Sequence, residues 1–391
     1  MVEVKTGLEK FVQSPPQELM GLRIGLLCNP ASVDRRLCHA RFCIDRIAGM
    51  KLTALFSPQH GFYSEKQDNM IESEDRLDPA LKIPAYSLYG STRVPTEKML
   101  DAVDLFVVDL QDVGTRVYTF ISTLALCMEA ARRRDRKVVV LDRPNPIGGL
   151  AVEGNCLDPA LRSFVGKYPL PMRHGLTIAE LALLFNEHFG IGCDLSVIPM
   201  DGWKRWMHFS DTGLPWVAPS PNMPSPASAQ VYPGQVLFEG TNVSEGRGTT
   251  QPFELLGAPF IEPAAVLERL PDQALAGVVL RPAAFEPTWN KWTGRLCSGF
   301  QIHLQDRSAY RPCRCSTALL AAICGLYPKR FAWKTPPYEY EYDKMPIDLI
   351  CGDGRFRQKI EEEADFTELV DGWDTDEAAF EELRKPYLLY E

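Results

Sequence analysis

The chain has 391 residues, of which 45% are hydrophobic and 24% are charged, a globular composition that excludes a disordered protein. Its net charge of −9 argues against nucleic acid as a partner, and no apolar run approaches the roughly 18 residues that a membrane span needs. The N-terminus lacks a signal-peptide pattern and no CxxC occurs, so we expect a cytoplasmic protein with reduced cysteines. Removal of a targeting segment would instead indicate a secreted or periplasmic protein.

Strand-like and helix-like patterns alternate through the first part of the chain. Apolar runs of strand length predict strands at 22–28, 52–56, 83–89, 105–110 and 137–141. Helical periodicity follows between them, from Ser32 to Ile47, from Thr96 to Val103, and over 120–134. Because parallel strands need a crossover connection, usually a helix, this alternation predicts a Rossmann-like, doubly wound and mainly parallel α/β sheet.

A proline-rich stretch marks the predicted domain boundary. Five prolines lie within residues 215–226, which makes the stretch too stiff and too poor in donors for a helix or a central strand. Strands and helices are both predicted after it, at 276–280, 300–304, 317–326 and 375–384. We therefore predict a Rossmann-like catalytic domain over 1–226 and a smaller mixed α/β domain over 227–391 that closes the cleft.

Polar side chains follow the carboxyl ends of the predicted parallel strands. They are Asn29, His60, Glu65, Gln111, Asp112, Asp142, Arg143 and Asn145. In a doubly wound sheet these strand ends lie along one edge, where ligands bind. The first turn lacks GxGxxG and no GxxxxGK[ST] occurs, so the sequence does not support a nucleotide site.

A glycine-rich stretch at 238–250 is the other candidate binding segment, and it carries Glu239, Glu245 and Arg247. The chain has no GxSxG, HExxH or CxxC signature, so serine, zinc and thiol chemistries are unsupported and we predict no metal or cofactor. Carboxylate chemistry remains, and glycoside cleavage is an example in which one carboxyl must deliver a proton.

Glu65 is the first candidate for that proton donor. It follows Phe62 and Tyr63, and apolar surroundings of this kind keep a carboxyl protonated. A charged His60 nearby would instead lower its pKa, so the sequence leaves the protonation state of Glu65 open.

Nine segments resemble those of the NamZ-type exo-β-N-acetylmuramidases. They are 57–67, 86–90, 109–118, 141–146, 173–175, 211–216, 219–224, 238–249 and 385–390. Enzymes of this bacterial family remove N-acetylmuramic acid from the non-reducing end of peptidoglycan fragments during cell-wall recycling. The resemblance implies a Rossmann-like domain, a smaller C-terminal domain and an active site in the cleft between them. This chain departs from the family at Gln59, where the family usually has Glu, and at Asp68 and Asn69, where small residues are usual.

The resemblance also implies roles for individual residues. We expect Glu65 to be the general acid, with His60 and Gln111 positioning the substrate. Asp112, Glu239 and Glu245 are alternatives for a second acid, unless the acetamido group of the sugar is the nucleophile. A bidentate arginine suits the lactyl carboxylate of N-acetylmuramic acid, and the candidates in falling order are Arg247, Arg173, Arg143 and Arg116. The other expected substrate contacts are Asn29, Tyr118, Asn145, His174, Asn222 and Asn242.

Two further functions fit the same cleft. The chain could be a muropeptide-binding protein without catalytic activity, a reading that Gln59 favours, or a glycosidase that acts on N-acetylglucosamine. In each case the expected partner is a peptidoglycan-derived saccharide, with no nucleic acid and no membrane. The sequence predicts neither the stereochemical course of the reaction nor the oligomeric state.

Overall fold

A computed structural model describes residues 3–391, which form a large central sheet covered by helices and a smaller antiparallel sheet in the C-terminal part. The strands in this range are β1 (Arg23–Cys28), β2 (Lys51–Ser57), β3 (Arg76–Leu77), β4 (Pro84–Ser87), β5 (Leu105–Asp109), β6 (Lys137–Leu141), β7 (Glu153–Cys156), β8 (Pro171–Arg173), β9 (Leu195–Ile198), β10 (Leu255–Ala258), β11 (Val278–Phe285) and β12 (Cys297–Leu304). The α-helices are α1 (Gly7–Gln13), α2 (Ala40–Asp45), α3 (Glu97–Asp101), α4 (Phe120–Arg133), α5 (Ile178–Glu187), α6 (Pro226–Gln235), α7 (Pro263–Leu267), α8 (Pro312–Leu326), α9 (Pro346–Cys351), α10 (Phe356–Glu361), α11 (Phe366–Leu369) and α12 (Trp373–Arg384). Short 3₁₀ turns lie at Gln17–Leu19, Pro159–Leu161, Phe209–Asp211, Val236–Gly240, Asp272–Leu275 and Lys385–Tyr387.

The central sheet has the strand order β3-β4-β2-β1-β5-β6-β9. All neighbouring pairs are parallel except β3 with β4, which is antiparallel. The chain runs outward from β1 on one side and then returns to continue from β5 on the other. This reversal between β1 and β5 is where doubly wound sheets bind ligands, and it confirms the predicted fold class.

The strands of the sheet centre are apolar on both faces because helices cover both. All five residues of β5 are buried. Phe106 and Val108 pack with α4 and α5, whereas Leu105 and Val107 pack with α1 and α2. This alternation follows from the two-residue period of a strand, and it buries β5 completely.

The C-terminal part is built on the antiparallel sheet β10-β12-β11, against which α7 and α8 lie. Its buried side chains, such as Leu256 and Phe300, belong to the same continuous apolar cluster as Phe106 of the central sheet. The hairpin of β7 and β8 joins the two parts, because α12 and α8 both contact β7. Within residues 3–391, no helix is long and apolar enough to cross a membrane.

Two local predictions were wrong. The helix predicted from Ser32 to Ile47 is reduced to α2, because Leu37 has a left-handed backbone with φ of +62° and Ser32 bonds to Asn29 instead of continuing a helix. Helix α6 was not predicted, because Pro226 and the internal Pro233 are both unfavourable signals. Pro226 is nevertheless tolerated, because it occupies the first turn of the helix, where its missing N–H has no partner to lose.

Candidate active site

A pocket opens between the two parts of the chain, beyond the carboxyl ends of β2 and β5. Its lining residues come from the loop after β2, the start of α4, the proline-rich stretch and the C-terminal part, and they are Gln59, His60, Asn69, Val117, Tyr118, Thr119, Phe120, Val165, Ser220, Asn222, Met223, Tyr232, Glu239, Arg247, Phe253, Tyr338 and Glu339. The cavity volume is about 30 Å³, well below the roughly 300–1,000 Å³ that is usual for small-molecule sites. A sugar can therefore enter only when lining side chains move.

Glu239 forms one wall of the pocket. Its Oε2 accepts hydrogen bonds from Nδ2 of Asn69 at 3.0 Å and from the hydroxyl of Tyr338 at 2.8 Å. Its Oε1 forms an ion pair with the guanidinium of Arg247. Three donors therefore converge on this carboxylate, which is an acceptor in the pocket.

Glu339 is the second buried carboxyl group of the pocket, with an exposed fraction of 3%. Its Oε1 accepts from Nε2 of Gln59 at 3.0 Å, and its Oε2 accepts from the hydroxyl of Tyr89 at 2.5 Å. Burial raises the pKa of Glu339 to about 7, although the hydrogen bonds from Tyr89 and Gln59 act to lower it. At neutral pH a large share of the molecules therefore carries a proton on this group.

Arg247 is the centre of a buried ionic network behind Glu239. Its Nε lies 3.3 Å from Oε1 of Glu245, and its Nη1 lies 3.5 Å from Oδ1 of Asp68. Lys291 completes the network at 2.7 Å from Oε2 of Glu245. Burial acts to raise the pKa of Glu245, but the charges of Lys291 and Arg247 outweigh it and keep this pKa below its ordinary value. Glu245 is therefore a charged partner of two cations at neutral pH.

Three more of the predicted site residues line the pocket, namely His60, Tyr118 and Asn222. Nδ1 of His60 bonds to the carbonyl of Lys66 at 2.8 Å, and because a carbonyl only accepts, this nitrogen carries the hydrogen. Burial lowers the pKa of His60 to about 4, so the ring is neutral at neutral pH and its Nε2 is an acceptor. Asn222 donates from Nδ2 to the carbonyl of Gln67 at 2.8 Å, which ties the proline-rich stretch to the loop after β2.

Glu65, the predicted general acid, does not line the pocket. Its Oε1 forms an ion pair with Arg76, and its Oε2 accepts from the amide of Tyr63 at 3.1 Å. Burial acts to raise the pKa of Glu65, but backbone amide hydrogen bonds and Arg76 outweigh it and lower this pKa. Gly61, with φ of +86°, makes room, since a Cβ there would lie 2.6 Å from Oε2 of Glu65. The carboxyl group of Glu65 thus has a cation and an amide donor around it, and not the predicted apolar surroundings. Such neighbours favour the charged carboxylate over the protonated form that a general acid needs.

Asn29, Gln111 and Asp112 also lie outside the pocket lining, in turns that follow the central strands. Asn29 donates to the carbonyl of Gln111 at 3.1 Å, and Gln111 donates to the carbonyl of Pro144 at 2.9 Å. Asp112 accepts the amide of Gly114 at 2.7 Å, and burial raises its pKa to about 7. Asn29 and Gln111 thus bond to the backbone of the turns, which does not support their predicted roles in substrate binding and positioning. Oδ1 of Asp112 has no hydrogen-bond partner among residues 3–391, but Asp112 is not part of the pocket lining, so the geometry does not support its predicted role in acid catalysis.

Arg116 links the two parts of the chain and is inaccessible to a substrate. At 2.5 to 3.1 Å its guanidinium donates to four carbonyls, those of Asn155, Leu170, Ile350 and Cys351. Ile350 and Cys351 end α9, where the negative end of the helix dipole attracts a cation. The arginine is thus a structural clamp, which argues against its predicted contact with a lactyl group.

Arg143 and Arg173 also have hydrogen-bond partners outside the pocket. Arg143 forms a buried bidentate pair with Asp109, at 2.5 Å from Nε and 2.8 Å from Nη2. Arg173 donates to the carbonyl of Ile147 at 2.6 Å and lines a separate groove of about 750 Å³, together with Trp206. Of the four arginines proposed for the lactyl carboxylate, only Arg247 lines the pocket.

The remaining predicted contacts stabilise local backbone. Asn145 donates to the carbonyl of Leu176 at 2.9 Å, and Nδ1 of His174 accepts the amide of the same residue at 3.1 Å. Asn242 bonds to the backbone of 330–332 at 2.8 and 3.0 Å. Asn145 and Asn242 thus have partners in the protein that account for their polarity, whereas Nε2 of His174 has no hydrogen-bond partner among residues 3–391.

The sequence did not predict seven polar residues of the pocket, which are Gln59, Asn69, Thr119, Ser220, Tyr232, Tyr338 and Glu339. In the sequence, Gln59 and Asn69 stand out only as departures from the pattern of the family. Tyr338 and Glu339 follow two prolines in a stretch with no strand or helix pattern. The repeated Tyr-Glu pairs at 338–341 were the available signal, because aromatic and acidic side chains together suit a sugar site.

Comparisons with known proteins find the same family over nearly the whole chain. The family models described as "Exo-beta-N-acetylmuramidase NamZ", N-terminal and C-terminal, match residues 24–227 and 230–390. The peptidoglycan beta-N-acetylmuramidase NamZ of Bacillus subtilis is 44% identical over 388 residues, which cover 99% of this chain and 92% of that protein. A crystal structure of a DUF1343 family protein from Bacteroides fragilis has a TM-score of 0.88 at 34% identity, with 100% of both chains covered. A second protein of that family and organism has a TM-score of 0.78 at 29% identity, covering 100% of this chain and 99% of the other.

Proposed function

The chain belongs to the NamZ family of exo-β-N-acetylmuramidases, and on this premise we propose that it releases N-acetylmuramic acid from the non-reducing end of peptidoglycan fragments. The reaction is the hydrolysis of a glycosidic bond, which needs a proton for the leaving oxygen and stabilisation of an oxocarbenium-like sugar. Acidic side chains can perform both tasks, so the proposal requires no cofactor.

One observation carries the proposal at the level of residues. Glu239 and Glu339 come from different segments, line one pocket and have unlike surroundings. Glu239 is paired with Arg247, whereas the hydrogen-bond donors to Glu339 are the neutral groups of Gln59 and Tyr89. Two carboxyl groups in contrasting environments are how glycosidases divide proton donation from charge stabilisation.

The shape of the pocket supports removal of a terminal sugar. Segments from both parts of the chain line it, and we propose that it is a recess and not a continuous groove. A recess accepts the end of a glycan, whereas cleavage inside a glycan needs a groove open at both ends. The contact between Gln59 and Glu339 narrows the recess, and we propose that it rearranges when the sugar enters.

We also propose that Arg247 binds the lactyl carboxylate of N-acetylmuramic acid. Its Nη2 pairs with Glu239 and its Nε lies 3.3 Å from Glu245, whereas the ion-pair contact of Nη1 among residues 3–391 is the long one of 3.5 Å to Asp68. The side chain of Asp68 is 44% exposed, so it can turn towards solvent and release Nη1 for the substrate. His60, Tyr118 and Asn222, which line the same pocket, are the proposed contacts to the sugar ring.

The decisive experiment is incubation of the protein with the disaccharide N-acetylmuramyl-β-1,4-N-acetylglucosamine, followed by mass spectrometry of the products. We expect free N-acetylmuramic acid from the native protein. A Glu239→Gln variant should lose at least about a hundredfold in kcat/KM, because it removes charge that stabilises the transition state. Glu286→Gln, an exposed substitution in the same part of the chain, is the matched control.

Three outcomes separate the alternatives. Stabilisation of the fold by the disaccharide without any product would indicate a muropeptide-binding protein. Faster hydrolysis of an aryl N-acetylglucosaminide than of the matching aryl muramide would indicate the other sugar as substrate. Neither binding nor turnover of a muramide would contradict the proposed function altogether.

A further inference from the structure

We propose that Glu339 is the general acid of this enzyme and delivers a proton to the leaving oxygen from a loop of the C-terminal part. The inference rests on the proposed function and goes beyond it by naming the proton donor. It assigns the role to a segment outside the parallel sheet, at 338–339, and not to the loop after β2.

The position of Glu339 suits proton delivery. The side chain is buried and lines the pocket, and no lysine, arginine or histidine among residues 3–391 forms an ion pair with it. The charged and titratable groups that face it are Glu239, Tyr89, Tyr232, Tyr338, Tyr340 and Arg93. The guanidinium of Arg93 stacks on the ring of Tyr340, 3.6 Å from its centroid, and not on the carboxyl group.

The backbone of this loop is also held in an unusual conformation. Glu339 and Tyr340 have φ of +47° and +68°, in the left-handed region that side chains with a Cβ disfavour. Such conformations persist only where surrounding contacts impose them, and they concentrate at functional sites. Here the hydrogen bonds to Gln59 and Tyr89 fix the carboxyl group in the pocket.

The other groups near the pocket are poor proton donors. Glu239 and Glu245 are each ion-paired with buried cations, and Glu65 is ion-paired outside the pocket. Gln59 occupies the loop after β2 but its amide has no acidic proton. Glu339 is left, because burial raises its pKa to about 7 and so keeps a proton available at neutral pH.

The atoms and electrons of the proposed step balance with water as the only reactant besides the glycan. The carboxyl proton of Glu339 moves to the glycosidic oxygen, and the electron pair of the bond from C1 to that oxygen stays with the oxygen, which leaves as a hydroxyl group. Water then adds at C1 of the released sugar, directly or after attack by its acetamido oxygen. The proton that this water loses restores the acid form of Glu339.

The test compares Glu339→Gln with the native enzyme on two substrates. The disaccharide has a poor leaving group that needs protonation, whereas a 2,4-dinitrophenyl muramide has a leaving group that does not. We expect kcat/KM for the disaccharide to fall by about 10²–10⁴-fold and kcat/KM for the dinitrophenyl substrate to fall by less than about tenfold. Native activity on the disaccharide should also fall as the pH rises through about 7, and this fall should be absent when either the native enzyme or the variant acts on the dinitrophenyl substrate.

Glu341→Gln is the control, since it changes a carboxyl group of the same loop that does not line the pocket. Equal losses on both substrates would assign Glu339 a structural role and overturn the inference, as would full activity of Glu339→Gln on the disaccharide. A native enzyme that hydrolyses neither substrate would instead overturn the proposed function. Thermal unfolding of the variant separates the two causes of a loss. A transition like that of the native protein shows that the loss reflects chemistry and not folding.

Discussion

Replacement of Asp112 by Asn should stabilise the protein at alkaline pH. Asp112 is 5% exposed, and its Oδ1 has no hydrogen-bond partner in residues 3–391. The nearest cationic candidate, Nε2 of His174, lies 3.7 Å from Oδ2, but burial lowers the pKa of His174 to about 3 and keeps that ring neutral. A charged Asp112 is therefore buried without a counterion, whereas Asn has nearly the same shape and no charge.

The magnitude follows from the displaced pKa. Burial raises the pKa of Asp112 from 3.8 to about 7, so between these values the folded protein holds a proton that the unfolded chain has released. The stabilisation by the neutral form is complete below about pH 4 and is lost as the pH rises to about 7. About 3 pH units correspond to roughly 4 kcal/mol. The Asn amide must still find a partner, so we expect a gain of about 2–4 kcal/mol at pH 8.

Urea unfolding at pH 5, 6, 7 and 8, followed by tryptophan fluorescence, measures this difference. Asp142 and Glu153 also have pKa values raised to about 7 by burial, but they titrate in both proteins and cancel in the comparison. The free energy difference between variant and native protein should grow with pH and level off above pH 7. A difference that is constant across this range, or a variant that is less stable at pH 8, would refute the electrostatic reasoning.

Three further substitutions test the assignments of charged residues. Glu65→Gln should lower kcat/KM on the disaccharide by less than about tenfold, because Arg76 already holds this carboxylate in its charged form; a loss above a hundredfold would return Glu65 to the role of acid. Arg247→Met should destabilise the fold by about 3–5 kcal/mol in urea unfolding, because it leaves Glu239 and Glu245 buried without its charge, and unchanged stability would contradict that ion-pair network. Arg116→Met should cost about 3 kcal/mol or more in the same assay through the loss of its hydrogen bonds to carbonyls, and a native-like midpoint would show that water replaces the guanidinium.

The fold was predictable where the pattern was regular and buried. The strand predicted at 137–141 coincides with β6, and the helix predicted at 120–134 differs from α4 by one residue, because both have uninterrupted apolar periodicity. The error at 32–39 arose because apolar residues recur there at helical spacing by coincidence. The left-handed backbone at Leu37 depends on surrounding contacts that a local pattern does not contain.

The site was predictable only in part. His60 and Glu239 belong to segments that resemble a known family, and both line the pocket. Glu339 could not be recognised in this way, since its partners Gln59 and Tyr89 are 280 and 250 positions away in sequence. The contrast between Glu65 and Glu339 is likewise a property of the fold, because the pKa of a carboxyl depends on which groups surround it after folding.

The joint construction of the pocket has a consequence for biosynthesis. Gln59 and Tyr89 leave the ribosome long before Glu339, and contacts over such separations form late in folding because the intervening chain must first be ordered. A nascent or truncated chain that ends before residue 339 thus lacks one wall of the recess. Hydrolytic activity, when measured during refolding, would then report the completion of the whole molecule and not the folding of either half.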